Sequence, residues 1–197
     1  MRSERRFSQA IAEGDGISVI AEVTDSDAAR MATAQGAEAI AIRGAVGDLR
    51  AATELPVLWR ASGSPSEAAL AGADAWLVAV ADAGEDDGWL ARQHAEAVEL
   101  GLDCVVAVRN EEELELALEQ VDPEIFLLVA GDEDEESDPL AQALELLTDV
   151  PAGKLAVADV PVWSRDQVDE LERAGVDAVI VGAGNVAELV GAAPPQV

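Results

Sequence analysis

Histidine, lysine, tyrosine and cysteine, side chains that commonly move protons in enzymes, are nearly missing from this chain of 197 residues. It has no tyrosine, one histidine, His94, and one lysine, Lys154. The single cysteine, Cys104, excludes an intramolecular disulfide and a cysteine-rich metal cluster. Basic residues are scarce as well, 12 against 40 acids, for a formal net charge of −28. Such a surface repels nucleic acid and anionic membranes, and neither is an expected partner. No apolar run reaches bilayer-spanning length, and the basic opening Met1-Arg2-Ser3-Glu4-Arg5-Arg6-Phe7 leads into no apolar signal core. Cytoplasmic residence is the expectation. All the bases except Lys154 are arginine, a bias that together with the acids points to adaptation to multimolar salt.

What the chain does have is a recurring lead-in to apolar runs. Gly175-Val176-Asp177-Ala178 opens the run Val179-Ile180-Val181, which ends in the turn Gly182-Ala183-Gly184-Asn185. The same order of glycine, small or apolar residue, acid and hydrophobic run stands at Gly36-Ala37-Glu38-Ala39 and Gly72-Ala73-Asp74-Ala75. A looser version is Gly101-Leu102-Asp103-Cys104. Each reads as a helix stop followed by a strand, so the repeat points to βα units around a parallel sheet, whose strands need helical crossovers. Half the residues are apolar, enough for one core at this length. A single domain over 1–197 is expected, with a leading helix or arm over 1–16 and a tail over 191–197.

Eight strands are expected, over 17–23, 39–43, 56–60, 75–80, 104–108, 125–130, 155–159 and 178–181. A leading helix over 8–13 stops at Gly14-Asp15-Gly16, and crossover helices follow over 25–35, 47–54, 88–100 and 164–174. Further helix starts stand at Ser64-Pro65, Asn110 and Asp138-Pro139. The strands are continuous apolar runs, the pattern of a sheet covered on both faces. Eight such units give a compact (βα)8 barrel, a fold that commonly runs to about 250 residues. The alternative is a doubly wound open sheet, but no glycine-rich turn follows the first strand, where Glu22-Val23-Thr24-Asp25 stands.

Barrels of this kind carry function at the C-terminal ends of their strands. Those positions hold Glu22 and Thr24, Arg43, Arg60, Ala107 and Arg109, Ala130, Asp159 and the turn Gly182-Ala183-Gly184. Glycines between the last strand and a helix beginning near Asn185 can aim backbone N–H groups at a phosphate; otherwise they merely permit a tight turn. Glu22, Arg60 and Asp159 are the candidate catalytic set, able to hold a polar or anionic ligand and to move a proton through a carboxylate. Alternatively the two carboxylates are simply paired with Arg60 or Arg43. Lys154 precedes the seventh strand, on the opposite, stabilising face, and His94 falls mid-helix on the outer surface. The run Asp132-Glu133-Asp134-Glu135-Glu136 lacks the ligand spacing and glycine of a calcium loop and reads as a solvated loop. No metal or cofactor is expected.

Arg6-Phe7-Ser8-Gln9-Ala10-Ile11, followed by Ile17-Ser18-Val19-Ile20-Ala21-Glu22-Val23, resembles the opening of indole-3-glycerol-phosphate synthase, an enzyme of tryptophan biosynthesis. Gly47-Asp48-Leu49-Arg50 with Leu55-Pro56-Val57-Leu58-Trp59-Arg60 is similar to the segment leading into that family's third strand. Gly101-Leu102-Asp103 into Val105-Val106-Ala107-Val108, and Gly175 through Gly182, are similar to its fifth and eighth units. The resemblance runs in order along nearly the whole chain. It implies a (βα)8 fold and ring closure of a carboxyphenylamino-deoxyribulose phosphate with loss of carbon dioxide and water. That chemistry uses a general acid, commonly a lysine, and steering carboxylates.

On this resemblance Glu22 matches the family's first-strand glutamate, whereas the lysine two positions later falls on Thr24 and the third-strand lysine on Arg60. Arginine holds its proton too tightly to serve as an acid. The fifth-strand glutamate falls on Ala107, the sixth-strand asparagine on Ala130, and the seventh-strand Glu-Ser-Gly on Asp159-Val160-Pro161. The family's Ser-Pro-Ser loop has no counterpart after Thr24-Asp25. The favoured expectation is a barrel that binds a phosphorylated small metabolite with the synthase chemistry lapsed. The alternatives are an active synthase-type carbon–carbon lyase and a barrel acting through an unidentified protein partner.

Overall fold

A computed structural model describes residues 7–13, 16–44, 48–84, 86, 88–131 and 138–190. The arm over 1–6, the acid run 132–136 and the tail 191–197 lie outside the described residues. Eight parallel strands close into a barrel in chain order. They are β1 (Ser18–Glu22), β2 (Ala39–Ile42), β3 (Val57–Trp59), β4 (Ala75–Ala79), β5 (Asp103–Val108), β6 (Ile125–Val129), β7 (Leu155–Asp159) and β8 (Ala178–Gly182). Residues 18–22 of β1 pair with 178–182 of β8, so no edge is left and the open-sheet alternative is excluded.

The crossover helices are α2 (Ser26–Ala34), α3 (Leu49–Ala52), α4 (Pro65–Leu70), α5 (Trp89–Glu99), α6 (Glu111–Gln120), α7 (Pro139–Leu147) and α8 (Arg165–Ala174), with α1 (Phe7–Ala12) before β1 and α9 (Val186–Leu189) after β8. Their starts follow from side-chain caps. Asp25 accepts from the Ala28 N–H at 2.8 Å, Asn110 from Glu113 at 2.9 Å, and Ser64 forms a reciprocal capping box with Glu67. Their stops use glycine where the chain turns left-handed, as at Gly175, the C-cap of α8, with φ +100°.

The acid of the repeated lead-in has a structural role. Asp74 Oδ2 accepts from the Val57 N–H at 2.8 Å and Asp177 Oδ2 from the Ala156 N–H at 2.7 Å, so each carboxylate satisfies a donor at the start of a neighbouring strand. Asp103, almost fully buried, instead takes the Ser8 N–H at 2.9 Å and ties α1 to the bottom of the barrel. The leading segment is thus a plug: Phe7 and Ile11 join the interior cluster of Ile20, Leu58, Val105, Leu127, Val157 and Ile180. Each such burial contributes roughly 1.5–3 kcal/mol.

Alternate strand residues face the other way, where Val19, Ile40, Val106, Phe126, Leu128 and Val179 pack under the helices. Cys104 lies in this outer layer, where desolvation, with the Asp103 charge adding to it, pushes the thiol up to about 12 and makes it inert. No described helix is long and apolar enough to cross a membrane.

Candidate functional site

The barrel's alternation decides which strand-end side chains meet. Ile20, Leu58 and Val157 face the interior, so Glu22, Arg60 and Asp159, two residues further on, emerge into the lumen at its C-terminal mouth. Gly182 stands beside Glu22 in register. Arg60 follows the last residue of β3, its N–H held by the Ile42 carbonyl at 2.7 Å. Its Nη1 donates to Glu22 Oε2 at 2.7 Å and its Nη2 to Asp159 Oδ2. Strands three and seven lie opposite each other in an eight-strand ring, so the Arg60 side chain is a crossbar over the lumen. Arg43 Nε extends the chain of charges, donating to Glu22 Oε1 at 2.8 Å.

Two carboxylates and two guanidinium groups thus alternate across the mouth. The Arg60 side chain is 4% exposed, against 29% for Glu22 and 24% for Asp159. At the crossbar the carboxylates are therefore the outer partners, with the Arg60 guanidinium behind them, while Arg43 is exposed on the rim. Arg60 Nε, also buried, finds no hydrogen-bond partner among the described residues. Arg43 is held above its ordinary value, first by the hydrogen bond to Glu22 and then by the charges of Glu22 and Asp159 against some desolvation. The sequence brought Glu22, Arg60 and Asp159 into one set and offered pairing of both carboxylates with Arg60 or Arg43 as the alternative; the structure shows those pairs, both carboxylates gripping Arg60 and Glu22 also Arg43.

The opposite arc of the mouth is apolar. Leu77 and Ala79 of β4, Ala107 of β5 and Val129 of β6 line the interior. Ala130, expected at the mouth, packs against the outer layer instead, because Val129 takes the inward position of that strand. Arg109 is turned to its own helix, donating to Glu113. Thr24 is exposed. Lys154 lies before β7 at the far end, paired with Asp122 at 2.7 Å. His94, expected on the surface, is half-buried on α5, and desolvation lowers its pKa. Among the described residues no group of three or more His, Cys, Asp or Glu could hold a metal ion. A feature the strand-end reading passed over is Trp163, 77% exposed in the loop after β7.

The turn after β8 differs from the expected helix start. A 3-10 turn, Ala183–Asn185, precedes the four-residue α9, too short to develop much of a dipole. The glycines themselves are informative. Gly182 has φ −62° and ψ 140°, which any residue adopts, and neither Gly182 nor Gly184 is in the left-handed region. A Cβ added at either would meet no atom within 4 Å. The turn does not need glycine, and the absence of side chains leaves the backbone open to approach from the mouth.

Comparison with known proteins adds the family context. The family model described as indole-3-glycerol phosphate synthase matches residues 65–188. The indole-3-glycerol phosphate synthase of Chlorobium phaeovibrioides is 31% identical over 211 residues, covering 91% of this chain and 80% of that protein. That of Shouchella clausii is 32% identical over 120 residues, 59% of this chain and 45% of its own length. The chain thus spans about half the length of the latter relative. Among solved structures, a mutant tryptophan synthase α-subunit from Pyrococcus furiosus superposes with a TM-score of 0.64 over 86% of this chain and 88% of that one. At 18% identity, that likeness concerns the fold alone.

Proposed function

The chain belongs to the indole-3-glycerol phosphate synthase family, and on that premise we propose that it binds a small phosphorylated metabolite at the barrel mouth without performing the family's ring closure. The observation that carries this reading is the state of Arg60, gripped by Glu22 and Asp159 where the reaction needs a proton donor. An arginine in that position is a very poor proton donor. Among the described residues the opposite arc of the mouth supplies no replacement, since Ala79, Ala107 and Val129 carry no transferable proton. The only lysine is at the opposite end.

Binding is a separate matter from turnover. Gly182 and Gly184 leave room for a phosphate against main-chain N–H groups beside Glu22, and glycine there has no conformational cause. Pro161, on the neighbouring loop, contributes no N–H, so affinity falls short of a site ringed by donors. The acidic surface suits multimolar salt, where a screening length of about 3 Å at 1 M limits its repulsion of a phosphate.

The test is a ring-closure assay with the family's carboxyphenylamino-deoxyribulose phosphate at multimolar salt. Loss of a positioned general acid alone costs about 10²–10⁴-fold, so turnover should be at least that far below an ordinary synthase rate. Rapid turnover that Glu22→Gln abolishes would overturn the reading and restore the carbon–carbon lyase.

A further inference from the structure

Resting on the phosphate reading above, we infer that the mouth selects phosphate esters whose far end carries hydroxyl groups and rejects those whose far end carries a carboxylate. The selection comes from the order of the charges. Arg60, the cation most central to the lumen, has a 4% exposed side chain and is committed to Glu22 and Asp159. Asp159 bonds through Oδ2, and its Oδ1 has no partner among the described residues. About a quarter of each carboxylate side chain faces outward, so both offer acceptor oxygens to a ligand's O–H groups.

A ligand carboxylate entering the same space meets like charge at contact distance. It cannot recover that loss from Arg60, whose Nη1 and Nη2 donate to Glu22 and Asp159 and whose unpartnered Nε is buried, nor from the apolar arc of Leu77, Ala79, Ala107 and Val129. Among the described residues Arg43 is the other cation of this charge row, but its Nε is held by Glu22 and its side chain is 62% exposed on the rim. A pair formed there is solvated and screened, and it offsets little. The selection also bears on the family reaction, whose substrate carries a carboxylate on its ring.

The test compares inorganic phosphate, glycerol 3-phosphate and 3-phosphoglycerate by calorimetric titration of the full chain at 2–3 M potassium chloride, roughly the regime where long-range charge is screened out. Glycerol 3-phosphate should bind at least tenfold more tightly than 3-phosphoglycerate. Asp159→Asn, which removes the local charge and turns an acceptor into a potential donor, should narrow that gap severalfold, and Glu22→Gln should act in the same direction. Equal or tighter binding of 3-phosphoglycerate to the parent overturns the inference while leaving the phosphate reading intact. So does a gap that neither variant changes. If neither inorganic phosphate nor glycerol 3-phosphate binds the parent, the phosphate reading fails and the selectivity falls with it.

Discussion

The two ends of the barrel put the same residue types to different uses. At the N-terminal end, carboxylates serve the backbone: Asp74, Asp103 and Asp177 accept from the N–H groups of Val57, Ser8 and Ala156, with Asp74 also paired to Arg50. Glycines there are conformational necessities, with Gly36, Gly72, Gly101 and Gly175 at φ between +73° and +100°. At the C-terminal end, Glu22 and Asp159 face arginines and the open lumen, and Gly182 and Gly184 sit in conformations open to any residue. A residue that the backbone requires is accounted for by folding. One that the backbone does not require, at the end where barrels of this kind act, asks for a ligand.

The largest expected effect sharpens the structural side of that contrast. Phe7→Ala removes a fully buried ring from the plug and should cost about 3–5 kcal/mol in denaturant unfolding, while the affinity of the surviving folded protein for a phosphate ester stays unchanged. Loss of ligand affinity in step with stability would show that the two ends are not separable.

Next in size is Arg60→Met. Breaking a well-buried ion pair costs about 3–5 kcal/mol, but Glu22 and Asp159 are partly solvated and Glu22 keeps Arg43, so about 2 kcal/mol is expected. In a domain of this size that lowers the melting temperature by about 4–8 °C. A melting temperature unchanged or raised would mean that the crossbar does not hold the mouth.

A paired substitution then sets glycine against glycine. Gly175→Ala forces a side chain into the left-handed region and should destabilise by about 1–2 kcal/mol, whereas Gly184→Ala should be neutral or stabilise by a few tenths of a kcal/mol. Equal costs at both positions would erase the distinction between the ends.

The smallest effect is a pH dependence at the structural end. Desolvation raises the Asp177 pKa, against the hydrogen bond from Ala156 that lowers it. The folded state therefore binds its proton more tightly than the unfolded one, so this group favours folding at low pH and less so as pH rises past the ordinary aspartate range. Asp177→Asn keeps an acceptor for Ala156 and should remove that slope, gaining stability relative to the parent as pH rises in thermal melts. A difference independent of pH would remove desolvation as the cause.

Much of this was legible in the chain. The repeated lead-ins, the continuous apolar runs and the capping residues Asp25, Ser64 and Asn110 fix strand and helix order because they act locally. The strand-end rule then picked out Glu22, Arg60 and Asp159. What the chain did not disclose depends on register and on contacts across the lumen. That Val129 rather than Ala130 faces inward is a one-residue phase that an all-apolar strand does not display. The Arg60 crossbar joins residues 99 apart, and the role of α1 as a plug depends on Asp103, 95 residues from Ser8. The short turn before α9 escaped because Gly182-Ala183-Gly184-Asn185 looks like a helix start whether or not a long helix follows.

The most direct test of a ligand-binding mouth is a thermal melt in multimolar salt with glycerol 3-phosphate, run on the parent and on Gly182→Asp. A ligand at 100 times its dissociation constant stabilises the folded state by about 2.7 kcal/mol, well within detection. The expected result is a raised melting temperature for the parent and none for Gly182→Asp, whose carboxylate would occupy the open space beside Glu22 without straining the chain. No rise in the parent, or the same rise in both, would contradict a phosphate seated on the Gly182–Gly184 turn.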